Sequence, residues 1–157
     1  MKQTAVNKAK GARFEAILQW RAMTLGMKAL KNELTFKYLK GGKVQPIHAD
    51  LDFRILRRDG RVCYVDCKSW QGDRFTWSQL DMQQYARACQ YEDFNIPAGF
   101  VVHFSGTDAV CFYSATLLKQ HGPGSRFTAA QGVLLGQVTD FDLEPIFRSR
   151  GGLTPPL

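Results

Sequence analysis

The sequence of 157 residues is long enough for one domain with a substantial core, and its 45% hydrophobic and 22% charged residues exclude a disordered chain. Its net charge of +7 and its pI near 9.4 favour a polyanionic partner, nucleic acid first and an anionic membrane second. No apolar run approaches the roughly 20 residues of a membrane helix and the N-terminus lacks a signal-peptide stretch, so we expect a cytoplasmic protein without a membrane partner.

The first third of the chain is predicted to hold an arm, a helix and a strand. Residues 1–10 are polar and basic, which indicates a flexible N-terminal arm. Apolar residues in the segment 9–31, among them Phe14 and Leu18, recur at three- and four-residue steps, as they do on one face of a helix. Residues 34–39 have the composition of a strand, which the glycines that follow it end.

The central part of the sequence predicts a β-hairpin. Apolar and polar side chains alternate in residues 51–56, and this alternation places Asp52 on the polar face of a strand. Residues 62–68 form a second strand, rich in β-branched and aromatic side chains. The Asp59-Gly60 pair between the two strands is typical of a hairpin turn.

The second half of the chain is predicted to contain further helices and strands. They are helices over residues 76–91, 114–120 and 128–135, and strands over residues 98–104 and 110–113. The first of these helices opens with a capping-box pattern at Thr76 and Gln79. The strand at 98–104 is nearly all apolar, as in a strand buried on both faces. We therefore predict a single α/β (α+β) domain over residues 11–148, without internal repeats, and a disordered tail over residues 149–157.

The predicted hairpin brings two carboxylates face to face. A three-residue loop at residues 58–60, with Gly60 in the left-handed conformation, pairs Asp52 with Asp66 on one face of the sheet. Their Cβ atoms would then lie roughly 5 Å apart. Like charges in this position are destabilising unless one carboxyl keeps its proton or the two share a cation. Lys68, two residues after Asp66, projects from the same face.

Two opposed carboxylates beside an ammonium group suit metal-assisted hydrolysis of a phosphodiester. Mg²⁺ prefers one or two carboxylates and takes its other ligands from water and substrate phosphate, and we expect Mn²⁺ to substitute for it. The ion would polarise the phosphate and lower the pKa of water, while the lysine positions or deprotonates that water and offsets charge. The alternative is that Asp52, Asp66 and Lys68 form a solvated sheet face with an ordinary ion pair.

These residues resemble the signature of the PD-(D/E)xK nuclease superfamily. Asp52 matches its first acid, Asp66-Cys-Lys68 matches its acid-x-lysine motif, and Leu51 stands where the signature has proline. The order of motifs along the chain is similar to that of RecU-type Holliday-junction resolvases, although Asp66 stands where that family usually has Glu. The matching segments are residues 11–15, 51–53, 60–68, 75–84, 98–104 and 142–147.

The resemblance implies a restriction-endonuclease-like core, with a central mixed β-sheet flanked by helices. It also implies a Mg²⁺-dependent homodimer that makes paired nicks in branched DNA at a four-way junction. Glu15, Asp52 and Asp66 would be metal ligands, Lys68 the water-orienting base, and Gln84 a support to the metal or the phosphate. Without the resemblance, Glu15 and Gln84 would be interpreted as ordinary residues of a helix surface.

A protein that recognises the shape of DNA needs cations for phosphate contacts. The expected contacts are Lys8, Lys10, Arg13, Arg54, Arg57, Arg58, Arg61 and Arg74. Two other functions stay open at this stage. One is another nuclease of the same fold that acts on duplex DNA or DNA ends, and the other is a non-catalytic nucleic-acid-binding module.

Overall fold

The computed structural model describes the backbone of residues 2–32, 35–47 and 51–149, and the side chains of residues 11–32, 38–45 and 51–149. The helices in these ranges are α1 (Lys2–Thr24), α2 (Met82–Asp93), α3 (Ala115–His121) and α4 (Glu144–Arg148). The strands are β1 (Lys28–Lys31), β2 (Thr35–Tyr38), β3 (Val44–Ile47), β4 (Phe53–Leu56), β5 (Val62–Trp70), β6 (Arg74–Thr76), β7 (Ala98–Phe104), β8 (Ala109–Ser114), β9 (Arg126–Thr128) and β10 (Val133–Gln137).

Six strands form one mixed sheet in the order β1-β4-β5-β7-β8-β10. The pair β5 and β7 is parallel, and the other neighbours are antiparallel. Helix α1 packs over one face of the sheet, where Phe14 and Leu18 contact the apolar side chains of β4 and β5. Helices α2 and α3 cover the other face. The sequence prediction of a mixed α/β domain with a central sheet flanked by helices is confirmed.

Helix α1 is displaced toward the N-terminus relative to the sequence prediction. Its backbone begins at Lys2, so residues 2–10 extend the helix where an arm was expected, and the side chains of that segment lie outside the described part. The helix ends because Gly26 adopts a φ of 75° and the Met27 N–H donates to the Ala22 carbonyl, which is a Schellman cap. Residues 28–31 were predicted as helix, but they form the edge strand β1.

The β4–β5 hairpin has the predicted register. Phe53 pairs with Val65 and Leu56 pairs with Val62, which continues to Asp52 opposite Asp66. The loop is a three-residue turn in which Gly60 has a φ of 88°. The hydrophobic alternation and the turn residue therefore agree on one register, as a half-buried strand requires.

Strand β7 lies at the centre of the sheet, and all but one of its residues are buried. This confirms the prediction of a strand buried on both faces. Such burial follows from a parallel pairing with β5 on one side and an antiparallel pairing with β8 on the other. Within the described ranges, no helix has the length and the apolar character needed to cross a bilayer.

Two of the helix predictions in the second half need correction. The capping box at Thr76 and Gln79 exists, but it caps a single 3₁₀ turn, and α2 begins later, at the N-cap Asp81. The segment 128–135, predicted as helical, contains the end of β9, a second 3₁₀ turn and the start of β10. The predicted tail can be compared only at Ser149, since residues 150–157 lie outside the described ranges.

The chain also contains a short internal repeat, which corrects the prediction that there is none. Residues 74–80 and 126–132 share Arg, Phe, Thr and Gln at the same four positions. Each copy is a three-residue strand followed by a 3₁₀ turn, and in each the Gln side chain accepts from the Thr N–H. The strands of the two copies, β6 and β9, pair with each other in an antiparallel ribbon.

Candidate functional site

The two predicted carboxylates meet where β4 begins, with Asp52 just before that strand and Asp66 in the middle of β5. The Asp52 N–H donates to Asp66 Oδ1 over 3.2 Å, and the Cys67 N–H donates to Asp52 Oδ2 over 3.1 Å. Each aspartate thus has its carboxylate fixed by the backbone of the opposite strand. The prediction that Asp52 and Asp66 lie side by side is confirmed by these contacts and by the register.

Lys68 and Gln84 complete a cluster around Asp66. Lys68 Nζ lies 3.1 Å from Asp66 Oδ2, because the two residues alternate onto one face of β5. Gln84 Nε2 donates to Asp66 Oδ1 over 2.8 Å. Gln84 reaches this position because Asp81 caps the start of α2, accepting from the N–H groups of Gln83 and Gln84. The structure therefore brings four of the five predicted catalytic residues into one contiguous group.

Asp66 is fully buried, and its surroundings favour the neutral acid. Burial, followed by repulsion from Asp52, raises the pKa of Asp66 well above its usual range, and the attraction of Lys68 acts in the opposite direction. Partial burial alone would lower the pKa of Lys68, but its proximity to Asp66 outweighs that effect and raises it. Lys68 is accordingly held as an ammonium ion at neutral pH.

The donor atoms of this cluster fit a hard divalent cation. Gln84 Oε1 is buried and makes no hydrogen bond within the described part of the chain, whereas the buried Asp66 Oδ2 has the Lys68 ammonium group, 3.1 Å away, as its partner. Buried polar atoms are usually satisfied, so an unsatisfied amide oxygen beside two carboxylates and a single ammonium group fits a further electropositive partner. Mg²⁺ is bound by one or two carboxylates in proteins, with water and substrate oxygens as further ligands. Asp52, Asp66 and Gln84 supply oxygens of this kind.

Glu15, the predicted third metal ligand, does not lie in the cluster with the two aspartates. Its carboxylate pairs with Lys31 Nζ over 2.8 Å, and that ion pair lies on the α1 side of the sheet. Across the described side chains, no group of three or more His, Cys, Asp or Glu residues could hold a metal ion together. Glu15 is nevertheless a neighbour, because its charge contributes with those of Asp52 and Asp66 to raising the pKa of Cys67, after burial as the main cause.

The predicted DNA-contacting arginines of the hairpin turn lie away from this cluster. Arg57 is five residues from Asp52, which places it roughly 16 Å along the strand at about 3.3 Å per residue. Its guanidinium pairs with Glu144 over 2.9 Å and with Asp59, and it lies over the Phe147 ring. The structure thus places Arg57, and with it Arg58 and Arg61, at the opposite end of the hairpin rather than around the carboxylates.

The other predicted contacts are spread over three elements. Arg54 is exposed on β4, two residues from Asp52. Arg13 is exposed on α1 beside a cavity of about 250 Å³ that Ser69 and His103 also line. Arg74 is exposed on β6 and pairs with Asp73. The side chains of Lys8 and Lys10 lie outside the described ranges.

Two residues of this region were missed by sequence analysis. Lys31 pairs with Glu15, and the Asp52 charge contributes to raising the pKa of Lys31 after that of Glu15. Asn32 donates its backbone N–H to the Asp52 carbonyl and its side-chain amide to the Leu51 carbonyl, and so fixes the start of β4. No sequence signal marks either residue, because both follow from the pairing of β1 with β4, which is non-local.

Comparison with known proteins agrees with the architecture. No protein-family model matches the sequence, and no curated protein matches it. Among solved structures, the chain is similar to Hjc, a Holliday junction resolvase from the archaeal hyperthermophile Archaeoglobus fulgidus, which was determined at 1.6 Å resolution. The two are 14% identical, and the similarity covers 82% of this chain and 97% of that one, with a TM-score of 0.55. The restriction-endonuclease-like fold expected from the sequence is thereby confirmed.

Proposed function

We propose that this chain is a Mg²⁺-dependent, structure-selective DNA endonuclease that resolves Holliday (four-way) junctions by paired phosphodiester hydrolysis. The observation that carries the proposal is the cluster of the buried Asp66 with Asp52, Gln84 and Lys68, in which the buried Gln84 Oε1 has no hydrogen-bond partner among the described residues. The fold likeness to a Holliday junction resolvase supports the choice of substrate. The net charge of +7 supports a nucleic-acid partner.

Each residue of the cluster has a role that follows from its contacts. Asp52 and Asp66 would hold Mg²⁺, or Mn²⁺ in its place, and Gln84 would orient Asp66 through its amide N–H while offering its own oxygen. When bound, the ion supplies positive charge to the phosphate and lowers the pKa of water. Glu15 would join as a further ligand only if its side chain left Lys31.

Lys68 is better suited to positioning and charge compensation than to accepting a proton. Its ammonium group faces Asp66, and a charged lysine donates hydrogen bonds but cannot act as a base. At 3.1 Å from Asp66, it stands where it can orient a water molecule and offset negative charge developing on the phosphate. The sequence suggested that Lys68 orients and deprotonates water, and we assign it only the orientation of water.

Resolution of a junction requires two symmetric cuts, which is the basis for proposing a homodimer. A four-way junction has two-fold symmetry, and a two-fold dimer presents two identical sites to it. Arg54, two residues from Asp52, would contact the phosphates of the strand being cut, and the exposed Arg13 and Arg74 would contact phosphates elsewhere on the DNA. The arginines of the hairpin turn would contact DNA only beyond the immediate site.

The test is cleavage of a labelled four-way junction and of a matched linear duplex, in Mg²⁺ and in EDTA. The variants are Asp66→Asn and Lys68→Met, with Asp93→Asn as the control, because Asp93 is an exposed acid of α2 outside the cluster. We expect symmetric cuts in the junction alone, lost in EDTA, and reduced by about 10³-fold or more in both cluster variants. Junction binding should persist in Asp66→Asn.

Other outcomes distinguish the competing functions. Cleavage of the linear duplex or its ends would retain the site and replace the substrate, leaving another nuclease of this fold. Salt-sensitive binding without cleavage of either DNA, in Mg²⁺ or Mn²⁺, would reject the enzyme and leave a nucleic-acid-binding module. Equal loss of activity in Asp93→Asn would show that the effect of Asp66→Asn is not specific to the cluster.

A further inference from the structure

We infer that the ribbon formed by the repeated Arg-Phe-Thr segments, β6 and β9, is a binding surface for the sugar–phosphate backbone of DNA, with Arg74 and Arg126 as its phosphate contacts. This inference deepens the proposed function and rests on it for the identity of the nucleic acid. Arg126 is not among the DNA contacts expected from the sequence, because it lies between the helices predicted over residues 114–120 and 128–135.

The register of the ribbon places both arginines on its outer face. Arg74 pairs with Thr128 and Thr76 pairs with Arg126, so these four side chains project to the same side. Phe75 and Phe127 pair between them and point inward, where both are fully buried with ring centroids 4.9 Å apart. Arginines at diagonal positions of such a ladder lie roughly 7–8 Å apart at Cα. The buried rings therefore hold two guanidinium groups on one rigid, solvent-facing surface.

The ribbon is anchored beside the candidate site. Asp66, Lys68 and Trp70 alternate on one face of β5, and the Phe75 ring stacks on Trp70 with centroids 4.8 Å apart. From β6 the chain passes through one 3₁₀ turn to Asp81, which caps the helix that carries Gln84. A DNA strand held at Asp66 would thus have the ribbon as the next surface along its path.

The two copies of the repeat differ in a way that predicts unequal contributions. Arg74 is partly neutralised by Asp73, 3.1 Å away and also exposed. Arg126 is exposed, and within the described ranges no carboxylate forms an ion pair with it. Lys119 and His121 in the last turn of α3 lie near this copy, with the His121 ring against Phe127. We expect Arg126 to contribute more to DNA binding than Arg74.

Packing explains one of the three differences between the copies of the repeat. The position occupied by Leu80 in the first copy is Gly132 in the second. A Cβ atom at Gly132 would lie 2.7 Å from the ring of Tyr113, so only glycine fits there. Packing therefore accounts for the glycine of the second copy. The outward arginines, which make no contact with the core, are the same in both, and packing does not account for that identity.

The test measures binding of the full chain to a four-way junction and to a duplex in EDTA, so that no strand is cut. Binding is followed by fluorescence anisotropy over about 0.05–0.3 M KCl. The variants are Arg126→Gln, Arg74→Gln, the double Gln variant, and the double Lys variant. Arg148→Gln is the matched control, since Arg148 is an exposed arginine of α4 on the other side of the sheet.

We expect the slope of log K against log salt to fall in magnitude by about 0.9 in Arg126→Gln and by less in Arg74→Gln, because Asp73 already pairs with Arg74. The double Gln variant should lose the sum of the two changes, at most about 1.8. This corresponds to as much as about eightfold weaker binding per arginine at about 0.1 M salt. The double Lys variant should keep the parental slope, because it keeps both charges. Arg148→Gln should also keep it.

Three results would overturn the inference: a parental slope in the double Gln variant, an equal loss in Arg148→Gln, or an equal loss in the double Lys variant. A parental slope in the double Gln variant would show that the two arginines do not contact DNA. An equal loss in Arg148→Gln would show a general effect of net charge, and an equal loss in the double Lys variant would show that the arginines have a structural role. None of them depends on cleavage. A chain that binds DNA through the ribbon but does not cut it would contradict the proposed function alone, and a cutting chain with an unaltered slope would contradict this inference alone.

Discussion

Gln84 is the residue through which α2 acts on the carboxylate cluster. Its amide N–H group donates to Asp66 Oδ1, while the neighbouring Gln83 is exposed and does not reach the cluster. The two glutamines differ only in which side of the helix they occupy. They therefore form a matched pair, because an alanine at either position has the same effect on helix propensity.

We predict that Gln84→Ala lowers junction cleavage about 10- to 100-fold and raises the Mg²⁺ concentration needed for half-maximal activity, as is usual for residues that orient a metal ligand. Gln83→Ala should behave as the parent. The measurement is the initial cleavage rate over a series of Mg²⁺ concentrations. An unchanged Mg²⁺ dependence in Gln84→Ala would remove Gln84 from the site.

Among the residues of the site, those on the β4–β5 hairpin could be placed from the sequence, because strand periodicity determines which side chains share a face. Asp52, Asp66 and Lys68 could be placed together because a hairpin register follows from alternation and from Gly60 alone. The position of Glu15 could not be predicted to this precision. Its partner Lys31 was assigned to a helix, whereas the Schellman cap at Gly26 ends that helix and returns the chain as a strand.

Among the elements, α2 and α3 are joined by a buried carboxylate. Glu92 of α2 is buried and accepts from both the N–H and the hydroxyl of Thr116 in the first turn of α3. Burial raises the pKa of Glu92, and the hydrogen bonds from Thr116 offset this rise only in part. The folded chain therefore binds a proton at Glu92 more tightly than the unfolded chain does.

This difference predicts the pH dependence of stability at the α2–α3 contact. Because the pKa of Glu92 is higher in the folded chain than in the unfolded chain, ionisation of Glu92 lowers the free energy of unfolding. This loss is absent in acid, grows as the pH rises from the unfolded pKa to the folded pKa, and is constant above the folded pKa. We expect Glu92→Gln, which keeps an acceptor for the Thr116 N–H, to gain stability relative to the parent over that rise in pH. Urea unfolding at several pH values measures the difference. A difference that is flat or shrinks with rising pH would contradict the prediction.

The elements themselves were predictable to the extent that local signals specify them. The strand β7 and the β4–β5 hairpin have strong patterns of burial and turn residues, and both were found where the sequence placed them. The segment 128–135 was misassigned because a three-residue strand and a 3₁₀ turn are too short for any periodicity. The repeat shared by residues 74–80 and 126–132 is the feature of the sequence that indicates the same short strand and 3₁₀ turn in both segments.

Across the whole molecule, β7 joins the parts of the fold. It pairs with β5, which carries the carboxylate cluster, and with β8, and its side chains enter the cores on both faces of the sheet. At Gly99 the approach of β8 is so close that a Cβ atom would lie 2.1 Å from the Tyr113 carbonyl oxygen. The two strands cannot accommodate a side chain there without separating.

We predict that Gly99→Ala lowers the free energy of unfolding by roughly 3 kcal/mol, at the upper end of the cost of overpacking. Gly72→Ala is the control, since the nearest atoms to an added Cβ there are 4.0 Å away. Urea midpoints from tryptophan fluorescence and from circular dichroism should move together in Gly99→Ala. A midpoint within experimental error of that of Gly72→Ala would show that β7 and β8 can separate without cost.

The arrangement of the sheet as a whole could not be obtained from the sequence. A parallel pair such as β5 and β7 joins segments separated by α2, and no local pattern specifies which distant strand is the neighbour. The resemblance of the motifs to a nuclease family supplied the expectation of a mixed sheet, and the fold likeness to the archaeal structure agrees with it. The local hairpin pattern thus accounts for the pair of carboxylates, whereas pairing between distant strands accounts for the sheet around them.

The loop at residues 58–60 sets limits on how this sequence can diverge. Substitution of Arg58 or Asp59 leaves Asp52 opposite Asp66, because the register depends on the number of loop residues. Insertion or deletion of one residue would shift one strand past the other and turn one carboxylate to the opposite face of the sheet. Related sequences can therefore vary at Arg58 and Asp59, but they must keep Gly60 and the length of the loop to keep the pair of acids roughly 20 Å away along the strands.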